Sequence, residues 1–444
     1  MSISHKLNSA LSMEDDAPNV QVNIDTDEGG MPLDDVVATD DGEFEPTPEA
    51  DAAEITERAE EIEEDNTDIE DMEVASESLV ATYEAMALAQ RNGGLTREAA
   101  TFAAISVESV MSKYNVGHED VGISLESFDD NKARATTVSM EGIGQALKDL
   151  WEAIVKKFKE MVKKIVDFYQ KTIAAAPRIK RRAEGVRKKA DKTTGSPKET
   201  QVKVGLFPQL NIQGHVPKAA ELIAGIQGGR GVYTKNTSKV DMKKELETMF
   251  KPNFNDANVW NSIVEVFNSL KVSKVDKLPG NNAFYSEYDA VSSTGNASDD
   301  SNTMSSAVQN FKYGIFEDKS GVKNSKENRE KEFPVLKKDE VIKICDEIIL
   351  SMNDIISFKT QATSSFDAGS FIEKEGSKLI DKIANQGSGE NKGKHEGTAR
   401  RYLTAIASVA RKIQSGEASV LRHNYQVSNA ALAYCARSLA LYKN

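Results

Sequence analysis

Cysteine is nearly absent from this chain of 444 residues, which contains only Cys345 and Cys435. Two cysteines cannot build a disulfide framework, and we expect both to be core thiols of a protein made in a reducing cytoplasm. No run of 18 apolar residues predicts an ordinary membrane-spanning helix. The N-terminal stretch MSISHKLNSALSMEDD holds no apolar run, so the sequence predicts no secretory signal.

The motifs that commonly carry catalysis are also missing. The five histidines are scattered and none belongs to an HExxH zinc motif, and there is no P-loop or GxSxG pattern. The acidic residues do not meet EF-hand spacing. The glycine-rich stretch 225–231 follows no evident strand, which disfavours phosphate binding there. The sequence therefore predicts no enzyme, no metal site and no cofactor, with an unrecognised enzyme in residues 200–444 as the alternative.

The charge of the chain is divided at one place. Residues 1–141 contain 35 acidic and 7 basic residues, a net charge of −28, whereas residues 142–444 contain 35 acidic and 49 basic residues, a net charge of +14. This division predicts a precursor in which an acidic half neutralises a basic half until it is removed. The remainder would be a polycation, suited to nucleic acid or to another anionic surface.

Hydrophobic periodicity predicts a mainly α-helical fold. Composition and breaker residues divide the chain into five segments: a disordered acidic leader over 1–74, a helical hairpin and loop over 75–141, a basic amphipathic helix and basic linker over 142–199, a small α or α+β region over 200–335, and a helical bundle over 336–444. Disorder is expected in the leader because its like charges repel and its apolar content is low. Gly93-Gly94 is expected to stop the first helix of the hairpin, and Gly416 to end a helix of the bundle.

The clearest predicted element is the amphipathic helix over residues 143–173. Apolar residues that include Trp151, Phe158 and Phe168 recur at three- and four-residue steps, and lysines flank this stripe. Pro177 is expected to end the pattern. Such a segment fits a bundle helix with its apolar side in the core, an interfacial membrane helix, or a helix that contacts DNA.

A dense cluster of positive charge follows this helix. Residues 178–192 contain eight basic and two acidic residues, more than a solvated helix face usually carries. Lysine and arginine can pair with phosphates without reading sequence, so we expect non-specific contact with DNA here. The predicted nucleic-acid-binding residues are Arg178, Lys180, Arg181, Arg182, Arg187, Lys188 and Lys189.

A short pattern, small residue–X–Glu, recurs between residues 75 and 141, with instances that end at Glu77, Glu108, Glu126 and Glu141. Proteases prefer exposed polar loops, and two of these tripeptides are predicted to lie in polar segments. The predicted main junction is Glu141–Gly142, and earlier trimming is expected at Glu126–Ser127 and after Glu77 or Glu108. The alternative interpretation of the main junction is that Ser139 caps the amphipathic helix.

The stretches GISLESFDD and TVSMEGIGQALKDLWEAIVKKF, with the acidic leader before them, resemble internal head proteins of large tailed bacteriophages. The resemblance covers roughly residues 120–170. In that family a prohead protease removes propeptides after a glutamate, and the mature protein stays inside the capsid with the genome.

The resemblance implies a virion structural protein that is assembled in the host cytoplasm and then enclosed in the capsid. Its implied partners are a prohead protease, capsid or scaffold proteins and packaged DNA, bound non-specifically. The sequence fixes no oligomeric state. The alternative function is an ejected or delivered protein that contacts and perturbs membranes through the helix 143–173.

Overall fold

Long helices make up most of the structure, a computed structural model that describes residues 48–114, 132–203, 207–237, 240–251, 258–288, 297–318, 332–357, 367–386 and 392–442. The helices are α1 Pro48–Arg91, α2 Arg97–Tyr114, α3 Lys132–Lys192, α4 Ala219–Lys235, α5 Met242–Phe250, α6 Asn258–Leu270, α7 Ala297–Asn310, α8 Lys338–Ser357, α9 Ala368–Gln386 and α10 Lys392–Ala440. The strands are β1 Gln201–Lys203, β2 Val275–Leu278, β3 Asn282–Glu287, β4 Lys312–Glu317 and β5 Glu332–Pro334. The predicted mainly α-helical fold is confirmed.

Helix α1 forms because its apolar residues repeat every seven positions. Ile55, Ile62 and Ile69 are all at most 2% exposed, and a seven-residue repeat keeps such residues on one side of a helix. Gly93 and Gly94 end the helix as predicted, both with positive φ, at 98° and 97°. The chain then turns into α2.

This helix corrects the predicted disordered leader over residues 48–74. Composition predicted disorder because the carboxylates repel one another, but in the structure they face lysines and arginines of α3 and α10. Burial of the apolar repeat and these countercharges together offset the entropy of ordering the helix. Residues 1–47, the rest of that predicted leader, lie outside the described residues.

Helix α3 contains the predicted basic amphipathic helix and extends it in both directions. Trp151, Phe158 and Phe168 are buried, so the apolar side of this helix belongs to the core, as the bundle interpretation required. The expected stop at Pro177 is wrong, because Ala176 and the residues after it remain helical and packed. Tertiary packing on both sides compensates for the hydrogen bond that proline cannot donate. The loop expected through residue 139 is likewise helical from Lys132 onward.

Helix α10 lies at the centre of the fold. Its residues between Gly397 and Leu439 are buried on most sides, and α1, α3, α4, α7, α8 and α9 all pack against it. Ion pairs show that α1 runs antiparallel to both α3 and α10, so α3 and α10 run parallel and α1 fills the groove between them.

Both cysteines are buried in the surrounding core. Within the described residues, no helix combines the length and apolarity needed to cross a bilayer.

Two small antiparallel sheets complete the predicted α or α+β region. Strands β1 and β5 form one sheet, and β2, β3 and β4 form the other in that order. In the second sheet Phe284 lies opposite Ile315. The backbone N–H of Ile315 also donates to Ser419 Oγ at 2.9 Å, which fixes β4 against α10.

Gly416 allows this close approach of β4 to α10. A Cβ atom at this position would collide with the backbone carbonyl of Tyr313. The expectation that a helix ends at Gly416 is wrong, because α10 continues to Ala440. The glycine serves packing between the helix and the strand instead of helix termination.

We predict opposite effects for two glycine substitutions in long helices. Gly416→Ala should lower the free energy of unfolding by about 1–3 kcal/mol, since the added methyl meets rigid backbone. Gly185→Ala in α3, where no atom lies within 4 Å of the added Cβ, should raise it by about 0.5–1 kcal/mol. Urea denaturation followed by circular dichroism at 222 nm measures both. Equal effects of the two substitutions would contradict the packing role of Gly416.

Candidate functional site: the interface of the acidic helix

Four cations of α3 stand at steps of seven residues and face α1. We call them, with their partners, the charge ladder: Arg178 with Asp51, Lys171 with Glu54, Lys164 with Asp65, and Lys157 with Asp68. Seven residues advance a helix by about two turns, so the cations share one face. The antiparallel α1 offers the partner carboxylates in the reverse order, at steps of 3, 11 and 3 residues.

The four pairs of the charge ladder differ in burial, and the carboxylates of Asp51 and Asp65 are buried. Asp51 is buried. Nε of Arg178 donates to one of its carboxylate oxygens and Nη2 donates to the other, both at 2.7 Å. Such two-pronged contacts are stronger and more directional than single ion pairs. Of the lysines, Lys171 is exposed and Lys157 and Lys164 are half-buried, and ion pairs that solvent still reaches contribute about 0–1 kcal/mol each. The charge ladder therefore fixes the register of α1 against α3 more than it contributes to the free energy of unfolding.

Two arginines of α10 bind the other side of α1. Nη1 and Nη2 of Arg401 donate to the two carboxylate oxygens of Glu84 at 2.7 and 2.8 Å. Arg411 has no exposed side-chain surface and donates through Nη2 to Glu73 at 2.8 Å and through Nη1 to the backbone oxygen of Asn66 at 3.1 Å.

The Glu73–Arg411 pair depends on both partners. Burial raises the pKa of the Glu73 carboxyl, and the positive charge of Arg411 opposes that rise. A buried charge that loses its partner destabilises a fold strongly, because neither water nor another ion replaces the contact. Helix α1 thus supplies the carboxylate that a buried arginine of the central helix requires.

The basic residues predicted to bind nucleic acid all lie in the last turns of α3, and they fall into two groups. Arg178 and Arg187 hold the fold together: Arg178 pairs with Asp51, and Arg187 donates to Asp346 of α8 at 2.6 Å. In the other group Lys180 and Arg182 are half-buried, as Arg178 and Arg187 are, and Arg181, Lys188 and Lys189 are exposed. The exposed positive surface of the cluster is therefore smaller than the sequence indicated.

The predicted cleavage sites lie mostly in helices. Glu77 is in α1, Glu108 is in α2, and Glu141–Gly142 is in α3 with the Glu141 side chain exposed. Glu126–Ser127 lies outside the described residues. A protease needs an extended substrate, so cutting at Glu141 requires local opening of the first turns of α3.

Ser139 does not cap a helix. It lies inside α3, its side chain is buried, and its hydroxyl donates to the backbone oxygen of Ala135 at 2.9 Å. The N-cap alternative for the junction is therefore wrong, because the helix begins at Lys132, before this serine.

Sequence reasoning missed the partners of the basic helix. It treated the carboxylates of residues 48–74 as repelling one another and the lysines of α3 as flanking charges. The signal that could have found the interface is the shared seven-residue spacing of Ile55, Ile62 and Ile69 with Lys157, Lys164 and Lys171. Two helices that share a seven-residue spacing and carry opposite charges are expected to pair.

Comparison with known proteins gives one match. The family model described as phiKZ-like phage internal head proteins matches residues 48–437. The matched region begins at α1 and ends within α10, so it includes all the helices of the interface. No curated protein and no solved structure matches the chain.

We predict that Arg411→Ala lowers the free energy of unfolding by about 3–5 kcal/mol, because the Glu73 carboxyl stays buried without its cation. Lys188→Ala, an exposed lysine of α3, should change it by less than about 0.5 kcal/mol. The double variant Arg411→Met with Glu73→Leu should recover most of the loss, since neither buried charge remains. Urea denaturation of the purified full-length chains compares the three, and an Arg411→Ala variant as stable as Lys188→Ala would refute the buried pair.

Proposed function

The chain belongs to the family of phiKZ-like phage internal head proteins, and from that premise we propose that its acidic N-terminal part is a removable propeptide. Membership makes the chain an internal component of the phage head. In the proposed precursor the propeptide neutralises the basic part of the chain. After its removal, the basic part associates with packaged DNA.

The observation that carries this proposal is the pairing of α1 with the cations of α3 and α10. Four lysines and three arginines of α3 and α10 have carboxylates of α1 as partners. If residues 1–141 leave, these cations lose their intramolecular partners and the remaining chain has a net charge of +14. Lysine and arginine held along a surface attract phosphates through counterion release, irrespective of base sequence.

The proposed partners are consistent with the same charges. A prohead protease cuts after Glu141, with earlier trimming at Glu126 and Glu77, and capsid or scaffold proteins hold the precursor during assembly. Packaged DNA is contacted by the exposed part of the basic cluster, Arg181, Lys188 and Lys189. A membrane-perturbing role gains no support, because the apolar side of α3 is occupied by the protein core.

We predict that the protein in mature heads begins at Gly142. N-terminal sequencing and tryptic mapping of protein from purified phage should find no peptides from residues 1–141. Phage carrying Glu141→Gln should accumulate a form that begins at Ser127, since the next small-X-Glu junction toward the N-terminus remains. Glu152→Gln, an exposed glutamate of α3 outside any such tripeptide, should be processed normally. Full peptide coverage of the leader in mature heads would contradict the proposal.

We also predict salt-dependent binding of duplex DNA by the mature protein and much weaker binding by the full-length precursor. If about five phosphates are contacted, log K should fall with log salt concentration with a slope of roughly −4 to −5. Replacing Arg181, Lys188 and Lys189 by Ala should reduce the magnitude of that slope by roughly 2–3, while Ala at the exposed Lys243, Lys244 and Lys374 should not. Fluorescence anisotropy with duplexes of different sequence measures these slopes. Equal affinity of precursor and mature protein would argue against charge masking.

A further inference from the structure

We infer that the groove between α3 and α10 is a binding site for α1 as a separate chain. The inference rests on the proposed function, since it concerns the fate of the propeptide once its covalent link to the rest of the chain is cut. It states that a single cut between α1 and residue 142 does not release the propeptide, so the clearance of residues 1–141 from mature heads requires the further trimming within α1, at Glu77. The acidic helix stays in the groove, and the cations of the groove remain paired.

The apolar side of α1 gives the first argument. Ile55, Ile62, Ile69, Leu79 and Met86 are each at most 2% exposed and belong to the same core cluster as the apolar residues of α3 and α10. Between Ile55 and Met86 this stripe is about 45 Å long at ~1.5 Å per residue. Departure of α1 would expose an apolar groove of comparable length, far longer than the patches that soluble monomers usually tolerate.

The polar contacts give the second argument, because they are spread along the whole helix. Arginines bind α1 near its start at Asp51, at its middle at Glu73 and near its end at Glu84. None of these contacts involves the connection between α2 and α3. They fix the register of α1 in the groove whether or not the backbone is continuous.

Helix α2 contributes much less to this attachment. Its large apolar residues Phe102 and Ile105 are exposed, at 74% and 57%, and its buried residues are Ala100, Ala103 and Val107. The binding free energy of the propeptide for the groove therefore resides in α1. The charge of the groove stays masked for as long as α1 is bound, wherever the chain between α1 and residue 142 has been cut.

The test uses the full-length chain with a recognition sequence for a sequence-specific protease inserted between Glu126 and Ser127. After complete cutting, size-exclusion chromatography and native mass spectrometry at about 0.1 M salt should show the two fragments as one 1:1 complex. This complex should bind duplex DNA as weakly as the uncut chain, and the fragments should separate only in denaturant. Separation of the fragments in buffer would overturn the inference.

Two substitutions on α1 show whether the groove holds the fragment. Ile69 is buried and Val74 is 52% exposed on the same helix. Ile69→Asp therefore adds a negative charge in the buried interface, and Val74→Asp adds the same charge on the exposed surface. On dilution of the cut complexes, Ile69→Asp should raise the dissociation constant at least tenfold and Val74→Asp should leave it unchanged. If the uncut Ile69→Asp chain does not fold, Arg401→Gln, which removes the contact with Glu84, takes its place with the same expectation. Equal retention in test and control variants would show that the groove is not what holds the fragment.

The inserted site makes this result independent of natural processing. If native heads contain no cut at Glu141, the proposed function fails while the retention of a cut propeptide still stands. If native processing occurs at Glu141 and the inserted cut releases α1, the proposed function stands and the inference fails.

Discussion

The burial of an acidic helix between two basic helices is the interaction on which the rest of this structure depends. The carboxylates of helix α1 repel one another, and helical stability in proteins comes mainly from the packing of an apolar face. Helix α1 is therefore not stable alone. The groove of α3 and α10 supplies both the apolar surface and the countercharges. In turn, α1 covers the apolar residues of that groove and keeps a buried arginine paired. Helix α1 is therefore stable only in the presence of the other two.

The charges of this interface have different roles according to their burial. The lysines of the charge ladder, which solvent still reaches, add little free energy but disfavour a shifted register, because like charges or unpaired carboxylates would then face each other. The buried Arg411 contributes differently. Its charge would cost much free energy if it were unpaired, so the fold requires a carboxylate at the position of Glu73. A chain held by such contacts is well defined in structure, because the acidic α1 stays in contact with the basic helices.

The proposed processing and the stability of the fold oppose each other in this arrangement. The small-X-Glu sites at Glu77 and Glu141 lie within helices of the folded chain, so a protease acts on whatever fraction is locally open. The end of α3 near Glu141 is held by few large apolar contacts, with Ala135, Thr136 and Ser139 as its buried residues before the junction. The middle of α1 is held by isoleucines and by Arg411. Opening is therefore easier at the junction than within the acidic helix.

The sequence by itself determined the helical class, the division of charge and the likeness to internal head proteins, because composition and periodicity are local properties. It also identified the apolar side of α3 and the buried cysteines. Only the tertiary structure decided that residues 48–74 are helical, that Pro177 lies inside a helix, and that Arg178 and Arg187 are structural. The reason is the distance along the chain between partners: Arg178 meets Asp51 across 127 positions, and Arg411 meets Glu73 across 338. The charge density of one segment predicts repulsion within that segment. In the folded chain, the neutralising charges come from segments that lie far away in the sequence.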